Sequence, residues 1–273
     1  MKKLFLLSAL LIFSFGFSQT AEEYLTSGMN KARTKDYKQA LSDFSNCIDL
    51  YNKQIDKTYL PDAYYNRGTL KILLGDHNGA VLDLNEAIVL DPKYSRYFYQ
   101  RALSKQILND YSGAFEDYTK SIELISNSKL EETEAMIGAS ISVNDNPKKM
   151  NLDNLTLVKI LVAAYSNRGT VKQKFNDFSG AVSDFNNAID LEPNDAELYY
   201  NRGYSKTDLF EYQEAIDDYS KAIEINPNYT SAYANRSALK EALGDMSGAC
   251  ADAKLAAKLG HIRSKNWAAN QCK

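Results

Sequence analysis

The feature that most constrains this chain is a five-residue segment, YYNRG, which occurs twice and ends at Gly68 and at Gly203. Looser copies of the segment end at Ala102, Gly169 and Ser237. Successive ends lie 34, 67, 34 and 34 residues apart, so the step is either 34 residues or close to twice that number. A fixed step of this size is typical of an array in which each repeat packs on the next.

Six copies emerge when the last residue of the segment is numbered position 8 of its repeat. Their first residues are Ala21, Pro61, Ser95, Val162, Ala196 and Thr230. Position 20 is alanine and position 23 is aspartate in every copy, positions 8 and 27 are small, and position 4 is aromatic. These positions recur at helical spacing on both sides of a turn at positions 15 and 16, which is Gly75-Asp76 in the second copy. Each repeat is therefore predicted to be a pair of helices.

This pattern resembles the tetratricopeptide repeat over residues 21–263, apart from two insertions. The resemblance implies an all-α fold, a right-handed superhelical solenoid of about six helical hairpins with a concave groove lined by the first helix of each hairpin. It also implies a scaffold that binds proteins. The chain departs from the family at position 4, where tryptophan is frequent, and at position 7, where leucine is usual.

Position 7 is arginine in five copies, namely Arg67, Arg101, Arg168, Arg202 and Arg236. The aspartates at position 23 are Asp43, Asp83, Asp117, Asp184, Asp218 and Asp252. We expect each arginine to pair with one of these aspartates, in its own repeat or in a neighbouring one. The alternative is an arginine row that grips an acidic ligand, and the matched numbers favour the pairing.

The N-terminus is predicted to be a signal peptide of residues 1–18, cleaved near Ser18/Gln19. Lys2 and Lys3 precede an apolar run, Leu4 to Phe17, and small residues follow. The alternative is a retained anchor, although the run is short against the ~20 residues of a spanning helix. The mature protein is expected to be periplasmic or secreted, with no stable membrane span after cleavage.

The rest of the chain divides into repeats and two further segments. The predicted organisation is repeats one to three at 21–126, an insertion at 127–161 that is partly loop, repeats four to six at 162–263, and a C-terminal capping helix at 264–273. Within the insertion, Ser126 to Met136 is predicted to prolong a helix, and Gly138 to Lys149 to form a loop. Such a loop is either a passive or disordered spacer, or it is a flap over the groove or a contact with a partner.

The three cysteines have different predicted roles. Cys47 stands at position 27, where the other copies have alanine or serine, so it is predicted to be a small core residue. Cys250 and Cys272 lie ten and twelve residues on either side of Gly260. If the last helix doubles back at Gly260, the two thiols meet, and an oxidising compartment permits a disulfide. The alternative is two free thiols.

The sequence offers no constellation for catalysis. The two histidines lie in different repeats, without a nearby cluster at metal-ligand spacing, and no phosphate-binding loop or catalytic signature is present. We therefore expect no enzyme activity and no cofactor. A formal net charge of −3 provides no basic field, so nucleic acid is not an expected partner.

The resemblance places positions 2, 5, 6, 9, 12 and 13 of each first helix in the groove. The candidate groove residues are Tyr65, Asn66, Arg96, Tyr99, Gln100, Asn167, Tyr200, Asn201, Tyr204 and Asn235. A row of amides can hold an extended peptide backbone because each amide both donates and accepts. Alternatively, these are solvated residues without a ligand.

The sequence thus predicts a non-catalytic scaffold in the bacterial envelope that holds a protein or peptide in its concave groove. The alternative is a structural or self-assembling subunit of an envelope complex.

Overall fold

The computed structural model describes residues 19–51, 58–138 and 147–272, with side chains throughout except at 128–138 and 147–154. The predicted signal peptide lies outside the described residues. Within the described ranges the chain forms thirteen helices and no strand. They are α1 (Ala21–Arg33), α2 (Tyr37–Tyr51), α3 (Leu60–Leu73), α4 (His77–Leu90), α5 (Ser95–Ile107), α6 (Tyr111–Gly138), α7 (Pro147–Lys174), α8 (Phe178–Leu191), α9 (Ala196–Asp208), α10 (Tyr212–Ile225), α11 (Thr230–Ala242), α12 (Met246–Lys258) and α13 (Ile262–Gln271).

Helices α1 to α12 form six hairpins, and each hairpin packs on the next one along the chain. This arrangement confirms the predicted solenoid of six helical hairpins. Helix α13 packs on α12 and ends the array.

The turn inside each hairpin has one recurring backbone conformation. Position 15 has a positive φ, between 57° and 86°, in all six repeats: Lys35, Gly75, Asn109, Asn176, Phe210 and Gly244. In the second repeat the N–H of Asp76 donates to the carbonyl oxygen of Lys71 at 2.9 Å, which closes the first helix. The Asp76 carboxylate then accepts from the N–H of Gly79 and caps the second helix.

Small residues set the distance between the two helices of a hairpin. A Cβ added at Gly203 of α9 would lie 3.1 Å from Cε1 of Tyr219 and 3.2 Å from the carbonyl oxygen of Ala215, both in α10. Ala215 is fully buried, as are the five other alanines at position 20. Positions 8 and 20 therefore bring the two backbones together, and the side chain at position 24 fills the space beside them.

The third and fourth hairpins are joined by longer helices than the others. Helices α6 and α7 each contain 28 residues, whereas the other helices of the six hairpins contain 13 to 15. Helix α6 continues through Ser126 to Met136 and ends at Gly138. The loop predicted over Gly138 to Lys149 is too long, because α7 already begins at Pro147. Proline suits the first helical turn, where the backbone N–H that it lacks would have no helical partner.

The chain ends in a helix that begins at Ile262, two residues before the predicted start. His261 caps it, since its Nδ1 accepts from the N–H of Ser264 at 3.2 Å. Cys250 of α12 and Cys272 form a disulfide, with Cα atoms 5.5 Å apart, as the spacing around Gly260 predicted. Among the helices described, none has both the length and the apolar character that crossing a membrane requires.

Candidate ligand-binding groove

The arginines at position 7 form ion pairs with buried aspartates inside the array. Each donates from Nε to Oδ2 of the position-23 aspartate in its own repeat at 2.8–2.9 Å. It also donates from Nη2 to Oδ1 of the same aspartate at 2.5–2.7 Å. This two-pronged geometry is the strongest that a guanidinium makes with a carboxylate. The predicted pairing is confirmed, and it occurs within each repeat.

A lysine at position 11 completes each of these sites, and sequence reasoning missed it. Its Nζ lies 2.8–3.0 Å from Oδ2 of the same aspartate in all six repeats. The lysines are Lys31, Lys71, Lys105, Lys172, Lys206 and Lys240. The signal was present, because a lysine recurs at one position of every repeat.

The arginine also links one repeat to the previous one. Its Nη1 donates at 2.7–3.2 Å to the side chain at position 25 of the preceding repeat, which is Ser45, Asn85, Thr119, Asn186 or Ser220. In the first repeat, position 7 is Ser27, whose hydroxyl donates to Asp43 at 2.6 Å. We call this set of position-7, position-11, position-23 and position-25 side chains the ion-pair ladder. Its arginines are engaged and do not form a ligand-gripping row.

The candidate groove residues at positions 5 and 6 make contacts between repeats. Asn167 donates from Nδ2 to the hydroxyl of Tyr99 at 3.4 Å, and Asn235 donates to that of Tyr200 at 3.2 Å. Asn66 instead donates to the carbonyl oxygen of Asp62 in its own helix at 2.8 Å. The amide protons of these three residues are therefore partly engaged within the protein.

Tyrosine rings pack in two clusters along the same surface. Tyr65 lies 5.1 Å from Tyr97 between ring centroids, and Tyr200 lies 4.8 Å from Tyr229 and 5.7 Å from Tyr219. Burial raises the pKa of Tyr219 to about 12. Tyr65 and Tyr200 are thus half-buried members of aromatic clusters.

Four of the predicted residues keep more freedom. Within the described part of the chain, the side chains of Gln100 and Asn201 make no hydrogen bond, and Tyr204 is 44% exposed. Arg96 is exposed, and its guanidinium carbon lies 5.5 Å from the ring centroid of Tyr94. Gln100 and Asn201 can therefore bind a ligand without first breaking a side-chain hydrogen bond inside the protein.

The two halves of the groove differ in polarity. Positions 9, 12 and 13 of repeats one to three are mostly apolar: Met29, Ala32, Arg33, Thr69, Ile72, Leu73, Leu103, Gln106 and Ile107. In repeats four to six they are mostly polar: Thr170, Gln173, Lys174, Tyr204, Thr207, Asp208, Ala238, Glu241 and Ala242. Leu73 and Ile107 are 63% and 57% exposed. The groove therefore offers an apolar surface at one end and hydrogen-bonding groups at the other.

The described residues offer neither a metal site nor an exposed free thiol. Among the described residues, no three His, Cys, Asp or Glu side chains come together in a way that could hold a metal ion. The free cysteine of this part of the chain, Cys47, is buried, and burial raises its pKa to about 11. A thiol in that environment is a core residue, as predicted from its position in the repeat.

Comparison with solved structures gives the same fold. PilF from Pseudomonas aeruginosa superposes with a TM-score of 0.63 at 12% identity, covering 92% of this chain and 97% of PilF. YrrB, described as a TPR protein with an unusual peptide-binding site, gives 0.60 at 15% identity, covering 82% and 96%. MamA from Desulfovibrio magneticus RS-1 gives 0.58 at 16% identity, covering 73% and 94%. At these identities the likeness concerns the fold.

A curated relative is similar over a shorter stretch. The tetratricopeptide repeat protein 36 homolog of Nematostella vectensis is 37% identical over 75 residues, 27% of this chain. The chain thus spans 38% of the length of that relative.

Two family models match the sequence. The tetratricopeptide repeat model matches residues 196–229, which are the fifth repeat. The model described as anaphase-promoting complex subunit 5 matches residues 24–91, which span α1 to α4, and residues 98–198, which span α5 to the start of α9. The first model covers one repeat and the second covers more than half of the chain, so the chain is a tetratricopeptide repeat protein that belongs to the family described as anaphase-promoting complex subunit 5.

Proposed function

We propose that this protein is a non-catalytic scaffold of the bacterial envelope that holds a protein or peptide segment in its concave groove. The observation that carries the proposal is the contrast between adjacent positions of the first helices. The arginines at position 7 are engaged in the ion-pair ladder, whereas Gln100 and Asn201 at position 6 are half-buried and make no side-chain hydrogen bond within the described residues.

The chemistry of these groups suits a polypeptide ligand. A carboxamide donates and accepts, as a peptide group does, so Gln100 and Asn201 match an extended backbone without selecting its sequence. Tyr204 adds a rigid ring with a polar tip, a composition common at interfaces. Leu73 and Ile107 supply apolar contact at the other end of the groove. The peptide-binding site named for YrrB, which has the same fold, supports this type of ligand.

The envelope location rests on two features. Lys2 and Lys3 followed by the apolar run form the signal-peptide pattern. The Cys250–Cys272 disulfide is of the kind that persists in oxidising compartments such as the periplasm.

The test is affinity capture of partners from an envelope extract of the producing cells, with the mature protein, residues 19–273, as bait. The groove variant carries Gln100→Ala, Asn201→Ala and Tyr204→Ala. The matched control carries Asp49→Ala, Glu86→Ala and Asp217→Ala, three exposed residues of the second helices.

We expect a protein retained by the wild type and by the control and lost by the groove variant, with all three folded by circular dichroism. Equal retention by the groove variant and the wild type would move the binding surface out of the groove and contradict the proposal.

A further inference from the structure

Helix α7 extends beyond the start of the fourth repeat. The other first helices begin at position 1 of their repeats or one residue before it, but α7 starts 15 residues before position 1, at Pro147. Leu155, Val158, Val162 and Ala163 lie along one face of α7, at the spacing of residues on one side of a helix. That face continues into the groove at Ser166 and Asn167.

The extended face and the start of α9 enclose a cleft of about 370 Å³. This volume lies in the range of ~300–1,000 Å³ that is usual for ligand sites. Leu198 of α9 is buried and closes the far side of the cleft, and Leu155 is 52% exposed. Among the described residues, no other first helix starts more than one residue before position 1, so none provides a corresponding wall.

The rim of the cleft is acidic. Glu192, Asp195 and Glu197 line it, against one basic side chain, Lys159. None of the three carboxylates makes an ion pair within the described ranges, in contrast to the position-23 aspartates. Asp195 caps α9 by accepting from the N–H of Glu197, and Glu192 and Glu197 are exposed.

We propose that this cleft binds a peptide segment in which an apolar side chain is adjacent to a lysine or arginine. The apolar wall takes the aliphatic or aromatic side chain, and the rim carboxylates attract the neighbouring cation. The inference rests on the proposed function, because it names the ligand chemistry of one end of the groove, and it locates recognition at a part of α7 that lies outside the repeats.

The test uses fluorescence anisotropy with two labelled synthetic peptides and the mature protein. One probe repeats Gly-Leu-Lys three times, and the other repeats Gly-Leu-Glu three times. The rim variant carries Glu192→Lys and Glu197→Lys. The matched control carries Asp49→Lys and Glu86→Lys, which change the net charge equally at exposed sites of α2 and α4.

We expect the leucine–lysine probe to bind and the leucine–glutamate probe not to bind. The rim variant should bind the leucine–lysine probe about tenfold more weakly than the control, because two attractive charges become repulsive. Ala163→Phe, which fills the cleft without changing charge, should weaken binding by a similar factor. Thermal unfolding shows whether each variant is folded.

Three results would overturn the proposal. The first is equal binding of both probes, or of neither. The second is an equal loss of affinity for the leucine–lysine probe in the rim variant and in the control, which would show that binding depends only on the net charge of the protein. The third is binding that survives the rim and Ala163→Phe variants but is lost in the Gln100, Asn201 and Tyr204 groove variant. That last result would leave the proposed function intact and remove the cleft as its site.

Discussion

Asn201 and Arg202 are consecutive residues of α9, yet they lie in opposite environments. Arg202 donates to both oxygens of Asp218 and to Asn186 of the preceding repeat. Asn201 is a half-buried candidate groove residue, and within the described residues its side chain makes no hydrogen bond. In α9, position 7 thus holds the array together, whereas the side chain at position 6 is available to a ligand.

The same comparison explains the repeated YYNRG segment. Gly203 permits the close approach of α9 and α10, and Tyr199 packs against Arg202, whose guanidinium carbon lies 5.4 Å from the ring centroid. Tyr200 and Asn201 face the groove side of the same helix. Three residues of the segment therefore stabilise the repeat, and two form its candidate binding surface.

The largest loss of stability is expected from the ladder. Asp218 is 4% exposed and accepts from Arg202 and Lys206. Asp218→Asn leaves two cations without their carboxylate and should lower the free energy of unfolding by about 3–5 kcal/mol. Urea denaturation measures this, with exposed Asp217→Asn as control. Equal midpoints for the two variants would show that the ladder contributes little.

The end of the array provides the next test. In the sixth repeat, a disulfide joins Cys250 of α12 to Cys272, which follows α13. Cys272→Ser should lower the free energy of unfolding by about 3 kcal/mol, since the closed loop is 22 residues long. Reducing agent should shift the wild type to the midpoint of the variant. If the reducing agent leaves the unfolding midpoint of the wild type unchanged, the disulfide does not make the predicted contribution to stability.

The first repeat should depend less on its carboxylate than the inner repeats do. Asp43 accepts from the Ser27 hydroxyl, and its cation, Lys31, has a side chain that is 35% exposed. We expect Asp43→Asn to lower the free energy of unfolding by only about 1–2 kcal/mol, because water can solvate Lys31 in its place. Denaturation beside Asp218→Asn measures the difference. A larger loss of stability in Asp43→Asn than in Asp218→Asn would contradict this expectation.

The smallest effect on stability is expected in the groove. Asn201→Ala removes no hydrogen bond of the described structure and should change the free energy of unfolding by less than about 0.5 kcal/mol. Asn235→Ala, which removes the contact with Tyr200, should cost more. Urea denaturation of the two variants measures the difference. A greater loss of stability in Asn201→Ala than in Asn235→Ala would show that Asn201 stabilises the fold.

The helical hairpins followed from periodicity, and the solenoid followed from the resemblance to the tetratricopeptide repeat. The arginines and aspartates were paired from their matched numbers, because both recur at fixed positions. The role of Lys71 and its equivalents was not predicted, because the repeats were aligned on their apolar and small positions and a lysine is neither. The positive φ at Lys35 and Phe210 was also hidden, because neither residue type indicates a left-handed turn.

The groove could be outlined from sequence but not resolved into engaged and available residues. The partner of Asn235 is Tyr200, 35 residues away, and that of Asn167 is Tyr99, 68 residues away. The rotation of one hairpin against the next decides which amide reaches a tyrosine hydroxyl. The repeat pattern does not determine that rotation. The cleft beside α7 likewise depends on where that helix begins, which the predicted loop placed too late.

The central claim is that position 6 recognises a partner while position 7 stabilises the array. The most direct measurement determines partner capture and the free energy of unfolding together for Asn201→Ala and Arg202→Met, at a temperature where both are folded. We predict that Asn201→Ala loses partner while keeping stability, and that Arg202→Met loses stability while the folded fraction keeps partner. If Asn201→Ala captures the partner as the wild type does and Arg202→Met does not, the assignment of the two positions is wrong.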